Sequence, residues 1–102
     1  MDMSKLVAQA QKMQKKIEEK QKELEKSEFL FESNGGAIKI KMKGNKEIIS
    51  LKIDPSLLDK EENEMLEDML MVAINNATSS IQEEMDKLIA SFGDNFKLPG
   101  VF

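Results

Sequence analysis

Residues 37–53, Ala-Ile-Lys-Ile-Lys-Met-Lys-Gly-Asn-Lys-Glu-Ile-Ile-Ser-Leu-Lys-Ile, constrain the fold more than any other stretch. Ile38, Ile40 and Met42 alternate with Lys39, Lys41 and Lys43. A strand sends successive side chains to opposite faces, so this period of two makes one apolar row and one ammonium row. Gly44-Asn45 then predicts a two-residue hairpin turn with positive φ. Beyond it, Ile49, Leu51 and Ile53 are expected on the apolar face, with Ile48, Ser50 and Lys52 opposite. One face of this hairpin is greasy and must be covered, and long helical patterns on either side can cover it.

The first of these patterns spans residues 3–26. Met3, Ala10, Ile17 and Leu24 recur every seven residues, with Leu6 and Met13 on the interleaved positions. Between Ser4 and Ile17 stand Lys5, Lys12, Lys15 and Lys16 and no carboxylate. Lys5 lies in the first turn, where the helix dipole prefers anions, so local helix energetics do not account for it. Further on, Glu18 and Lys22 have the favourable i,i+4 order. Residues 28–33 predict a strand with Phe29 and Phe31 on one face, and Asn34-Gly35-Gly36 predicts the turn after it. With strands at 28–33, 37–43 and 46–53, the chain has a three-stranded meander, the minimum for a stable sheet.

Asp54-Pro55 ends the third strand, and Asp54 or Ser56 can cap a short helical turn. Asp59 with Glu62 predicts a capping-box start to a helix running to about residue 91. Its apolar positions (Met65, Leu66, Met69, Leu70, Ala73, Ala77, Ile81, Met85, Leu88) recur at three and four. Met71, Val72 and Ile74 widen the belt, which suits burial against the sheet and a second subunit. Residues 92–102 read as an apolar tail, broken from the helix by Gly93 and Pro99, either folded back or mobile. The fold class is α+β, one domain over 1–102.

The chemistry available is narrow. The chain has no cysteine and no histidine, which excludes disulfides, thiolate nucleophiles and the usual zinc sets. The acids Asp59, Glu61, Glu62, Glu64, Glu67 and Asp68 lack a calcium-loop pattern and suit a helix N-terminus. Ser79 and Ser80 have no histidine partner and sit in no nucleophile elbow. We therefore expect no enzyme, cofactor, metal or small-molecule substrate. No run approaches the roughly 20 apolar residues of a membrane span, and no signal-peptide core follows Met1, so the cytoplasm is the expected compartment.

Charge is unevenly spread. Residues 1–53 hold twelve lysines against eight acids, whereas residues 54–102 hold three against eleven. All fifteen cations are lysine, point charges suited to phosphate, with no arginine fork for guanine edges. An alternative use of the chain is protein–protein interaction through the methionine-rich helix or the apolar tail, since eight methionines give an adaptable surface.

Several landmarks occur together: Gln9-Ala-Gln-Lys-Met-Gln14, Gly35-Gly36 before a basic strand, and Ile53-Asp-Pro-Ser-Leu-Leu58. Met65-Leu-Glu-Asp-Met69, Ala73-Ile-Asn-Asn-Ala77 and the terminal Leu-Pro-Gly-Val-Phe complete the set. With this element order, the chain resembles the YbaB/EbfC family of bacterial nucleoid-associated proteins over nearly its whole length. The resemblance implies a homodimer associated through its sheets, with helices projecting as arms. It also implies binding of double-stranded DNA with bending or compaction, a nucleoid location, and roles in nucleoid organisation and gene regulation. On that reading Lys5, Lys12, Lys15 and Lys16 are the first candidates for phosphate contact, and Lys39, Lys41 and Lys43 the second.

Overall fold

In the computed structural model, residues 3–95 are described. Helix α1 (Met3–Lys26) leads into strands β1 (Glu28–Ser33), β2 (Ile38–Lys43) and β3 (Ile48–Ile53). Two 3-10 turns, Pro55–Leu57 and Lys60–Glu62, precede helix α2 (Asn63–Asn95). The strands form an antiparallel sheet in the order β1-β2-β3. The predicted helix, meander and long second helix are all present.

The core lies between β2 and α2. Ile38, Ile40 and Met42 are buried against Ala73, Ala77 and Ile81, which recur every four residues on one face of α2. Alanines at the crossing let the helix backbone come close to the sheet. Phe29 and Phe31 of β1 flank this seam, their rings stacked at 6.4 Å and 18°. Truncation of Ile40 to alanine is expected to cost about 2–5 kcal/mol, because it removes transfer energy and leaves a cavity.

The first turn follows the sequence reading, with positive φ at Asn34, Gly35 and Gly36. The second does not. Its loop is three residues, 44–46: the Lys46 N–H donates to the Lys43 carbonyl at 2.8 Å, and the Lys43 N–H to Glu47 at 2.9 Å. The left-handed residue is Lys46, at φ 73°, not Gly44 or Asn45. This is the three-residue hairpin, in which an αL residue closes a type I turn. Gly44 is needed for a different reason: a Cβ there would overlap the Leu24 carbonyl at the end of α1. The Gly44 N–H donates to the Ser27 carbonyl at 2.9 Å and the Asn45 N–H to Glu25 at 3.2 Å, seating the hairpin tip on α1.

Three further expectations need correction. Ile49 is not in the apolar row. The register slips between Lys41 and Met42, so Met42 pairs with Ile48 and Ile49 is the bulged residue. The bulge places Ile48 with Leu51 and Ile53 on the core side of the sheet. The long helix does not begin at Asp59. Asp54 and Asp59 each accept a backbone N–H two residues on (Ser56 at 2.9 Å, Glu61 at 3.0 Å), each capping one 3-10 turn before α2 starts at Asn63. The backbone N–H of Ser56, and then its hydroxyl, hold the exposed Asp54 carboxyl below its ordinary pKa. Finally, α2 passes through Gly93 to Asn95. One glycine costs about 1 kcal/mol in a helix, too little to end one of this length. The rest of the expected tail, 96–102, lies outside the described residues.

The described chain is long and thin. Its radius of gyration is 20.1 Å and its extents are 71 × 25 × 17 Å. A compact domain of this size would have a radius of about 13 Å. The helices cause the difference. Half-buried Met13, Ile17, Gln21 and Leu24 form the stripe with which α1 lies along α2, and the rest of α1 is exposed.

Candidate nucleic-acid interface

The candidate lysines fall into two separate groups. Lys5, Lys12, Lys15 and Lys16 are all exposed on the half of α1 farthest from the sheet. At 100° per residue, Lys5, Lys12 and Lys16 lie in one narrow band, with Lys15 to its side. The band runs about 16 Å along the axis. Gln9, Lys12, Met13 and Lys16 line one shallow depression, which confirms that the two lysines share a face. Among the described residues, none of these four lysines has a carboxylate within ion-pair distance.

Lys39, Lys41 and Lys43 lie on the sheet face turned away from α2, as the alternation predicts. The register adds what surrounds them. Lys39 is opposite Glu32 and Lys52, Lys41 opposite Leu30 and Ser50, and Lys43 opposite Glu28. Lys43 is also 3.9 Å from Glu47. Opposite charges facing each other across a sheet attract, so Lys39 and Lys43 are partly compensated, whereas Lys41 faces no carboxylate and Lys52 faces Lys39. Lys52 belongs to the row and was not singled out from the sequence; its place in the Ser50–Lys52 alternation was the available signal.

Between the groups, residues 18–26 carry Glu18, Glu19, Glu23 and Glu25 against Lys20, Lys22 and Lys26. Lys20 pairs with Glu23 at 3.3 Å. The positive surface is therefore not one strip over α1 and the sheet. It is an uncompensated band at the end of α1 and a mixed row on the sheet. Lys46, at the hairpin tip, donates to Gln82 at 2.7 Å, and Gln82 donates in turn to Asp86 at 3.0 Å. That chain of bonds fixes the tip to α2.

Other chemistry finds little support. Among the described residues, no cluster of carboxylates could hold a metal. No described helix is long and apolar enough to cross a membrane.

Known proteins are similar to this chain. A nucleoid-associated protein of Clostridium novyi is 37% identical over 102 residues, covering 100% of this chain and 90% of its own. One of Malacoplasma penetrans is 46% identical over 88 residues, covering 86% of this chain and 93% of its own. The crystal structure of the uncharacterized protein HP0035 from Helicobacter pylori superposes with a TM-score of 0.72 at 27% identity. That likeness covers 89% of this chain and 96% of the other. The model of the YbaB/EbfC DNA-binding family matches residues 1–96, and that family is one of nucleoid-associated DNA-binding proteins, not of enzymes. The helix–meander–helix fold and this match over nearly the whole length agree: the chain belongs to the YbaB/EbfC DNA-binding family.

Proposed function

We propose that the protein binds duplex DNA as a homodimer, through lysine–phosphate contacts with little reading of base sequence, and bends or compacts the duplex within the nucleoid. A role in nucleoid organisation and gene regulation follows from that activity. The observation that carries the reading is the outer half of α1, where four exposed lysines stand with no carboxylate between Ser4 and Ile17. A protein of net charge −4 can hold a polyanion only where its cations are segregated in this way. Lysine without arginine suits phosphate and reads bases poorly.

Support for the dimer comes from what the single chain leaves uncovered. Only six apolar side chains are buried among the described residues. Ile48 and Leu51 on the open edge of the sheet, and Met65 and Val72 on α2, remain exposed. A domain this small gains stability by covering such surface with a second copy. Two copies would also present two α1 bands to one duplex.

The test combines mass in solution with a gel-shift series on a random duplex. A dimeric mass is expected, with log affinity falling linearly in log salt, by about 0.9 per phosphate neutralised. Binding that ignores salt would remove the mechanism. The exposed Met65, Met71 and Val72 favour a second reading, a surface for another protein. Pull-down from nuclease-treated lysate separates the two: a partner retained without DNA supports the second.

A further inference from the structure

Lys46 holds a backbone conformation that a lysine rarely takes. Its φ of 73° lies in the left-handed region, where Cβ crowds the following carbonyl. The residue at this point of a three-residue hairpin is ordinarily glycine. Here the glycine stands two places earlier, at Gly44, where the Leu24 carbonyl leaves no room for a Cβ. Asn45, which also tolerates the left-handed region, uses its side chain to accept the Glu47 N–H at 2.9 Å. The turn by itself thus gives no reason for a lysine at 46. Strain kept at one such position points to a use for the side chain.

The use is visible in what Lys46 reaches. Its Nζ donates to Gln82 Oε1 at 2.7 Å, and Gln82 Nε2 donates to Asp86 Oδ1 at 3.0 Å. An ammonium group can only donate and a carboxylate can only accept, so the two ends orient the amide between them. Three elements meet at this point. Glu25 of α1, Asn45 and Lys46 of the hairpin tip, and Ile81, Gln82 and Met85 of α2 line one depression. The tip is joined to the end of α1 by the backbone bonds to Ser27 and Glu25, and to α2 by the Lys46 side chain.

We infer that Lys46 is a positioning residue for duplex binding: through Gln82 it ties the hairpin tip, and with it the end of α1, to α2, and so sets the direction in which α1 presents Lys5, Lys12 and Lys16. The role rests on the proposed contact of those three lysines with phosphate. Lys46 is exposed and cationic like them, but its ammonium group is engaged by Gln82 and acts on the duplex only through α1.

Gln82→Ala breaks the tie with every cation left in place. It is expected to lower affinity for a random duplex about two- to tenfold at fixed salt, the range of one hydrogen bond, with the slope of log affinity on log salt unchanged. Lys46→Met keeps the stem and loses the ammonium group; it should act alike, and the double variant no more strongly than either alone. Wild-type affinity in Gln82→Ala would overturn the inference. So would a slope lower by about one in Lys46→Met, the mark of a direct phosphate contact. Lys46→Gly relieves the backbone and removes the same bond, so its denaturation midpoint should match or exceed that of the wild type while its affinity still falls. Affinity that merely follows the midpoint would make Lys46 a stability residue and overturn the role. One measurement needs no DNA. Spin labels at Gln11→Cys on α1 and Ser79→Cys on α2, both exposed positions in a chain without native cysteine, report the distance between the helices. Dilution into excess unlabelled protein restricts the signal to one chain. Lys46→Met and Gln82→Ala should each shift or broaden that distance, and an unchanged distribution would overturn the inference. Altered distances in a protein whose wild type binds no duplex would sink the phosphate reading and leave the tie between tip and α2 intact.

Discussion

The two lysine groups of this protein are alike in number and differ in company. The outer half of α1 carries four lysines, and the far face of the sheet also carries four once Lys52 is included. Within residues 4–17 the helix positions three and four away from these lysines are uncharged or another lysine, and Glu18 and Glu19 lie one turn beyond Lys15 and Lys16. On the sheet, antiparallel pairing brings Glu28 and Glu32 from β1 opposite Lys43 and Lys39, and Glu47 lies beside Lys43. The lesson is that a row of cations in sequence becomes an electropositive surface only if the fold brings no carboxylates beside it. The helix cannot import them from a neighbouring strand; the sheet does so by its register.

The contrast can be broken most strongly at the helix. Lys12→Glu, Lys15→Glu and Lys16→Glu together are expected to abolish duplex binding while the solution mass stays that of the wild type. Gel shift and light scattering read the two quantities, and binding that survives would reassign the interface. Replacing the same residues with glutamine should lower the salt slope by about one for each lysine that meets a phosphate.

Next in size is the seat of the helix. Gly44→Ala pushes a methyl group against the Leu24 carbonyl. We expect a loss of about 1–3 kcal/mol, typical of overpacking, read from the denaturation midpoint. A variant as stable as wild type would mean that the junction has room to give.

The sheet should respond less. Lys39→Gln, Lys41→Gln and Lys43→Gln together are expected to weaken duplex binding by less than about tenfold, since two of the three already face a carboxylate. In the opposite sense, Glu28→Gln with Glu32→Gln removes the compensation and should raise affinity a few-fold, about 1 kcal/mol at most. If the sheet variants act as strongly as the helix variants, the two rows are equivalent and the distinction fails.

The smallest effect lies away from both rows. Hydrogen bonds from Ser56 depress the Asp54 pKa. A carboxyl whose folded pKa is depressed contributes stability above its unfolded value, about 3.9, and loses it as pH falls through the folded value. Asp54→Asn should therefore flatten the acid limb of the stability curve below about pH 4 and leave its shape near neutrality unchanged. Urea midpoints across the acid range read this difference.

Much of the fold was legible because hydrophobic periodicity is a local property. The alternation of Ile38, Ile40 and Met42, and the three–four spacing of Ala73, Ala77 and Ile81, identify the buried faces without knowledge of what they touch. What was not legible depended on partners. Gly44-Asn45 reads as a two-residue turn until the Leu24 carbonyl explains the glycine, and positive φ then falls on Lys46. Ile48 and Ile49 are equally apolar, so the sequence does not say which one bulges; pairing with Met42 decides it. For the candidate site, the absence of acid from Ser4 to Ile17 was plain in the sequence. The compensation of the sheet row needed the β1–β2 register, although folding the chain about Asn34-Gly35-Gly36 would have suggested it.

The hairpin tip meets α1 backbone to backbone, through the close approach at Gly44 and the bonds to Ser27 and Glu25. Such a junction has no side-chain rotamers to yield, so it sets the pitch of α1 as a shoulder sets the pitch of a limb. Lys5 sits about 31 Å from that shoulder. A tilt of ten degrees would carry it about 5 Å, farther than the roughly 3.4 Å rise between successive phosphates of one strand. A limb held this firmly keeps its lysines at a fixed spacing and angle. On the proposed reading, a duplex meeting these lysines would take its curvature from the angle at which they are held.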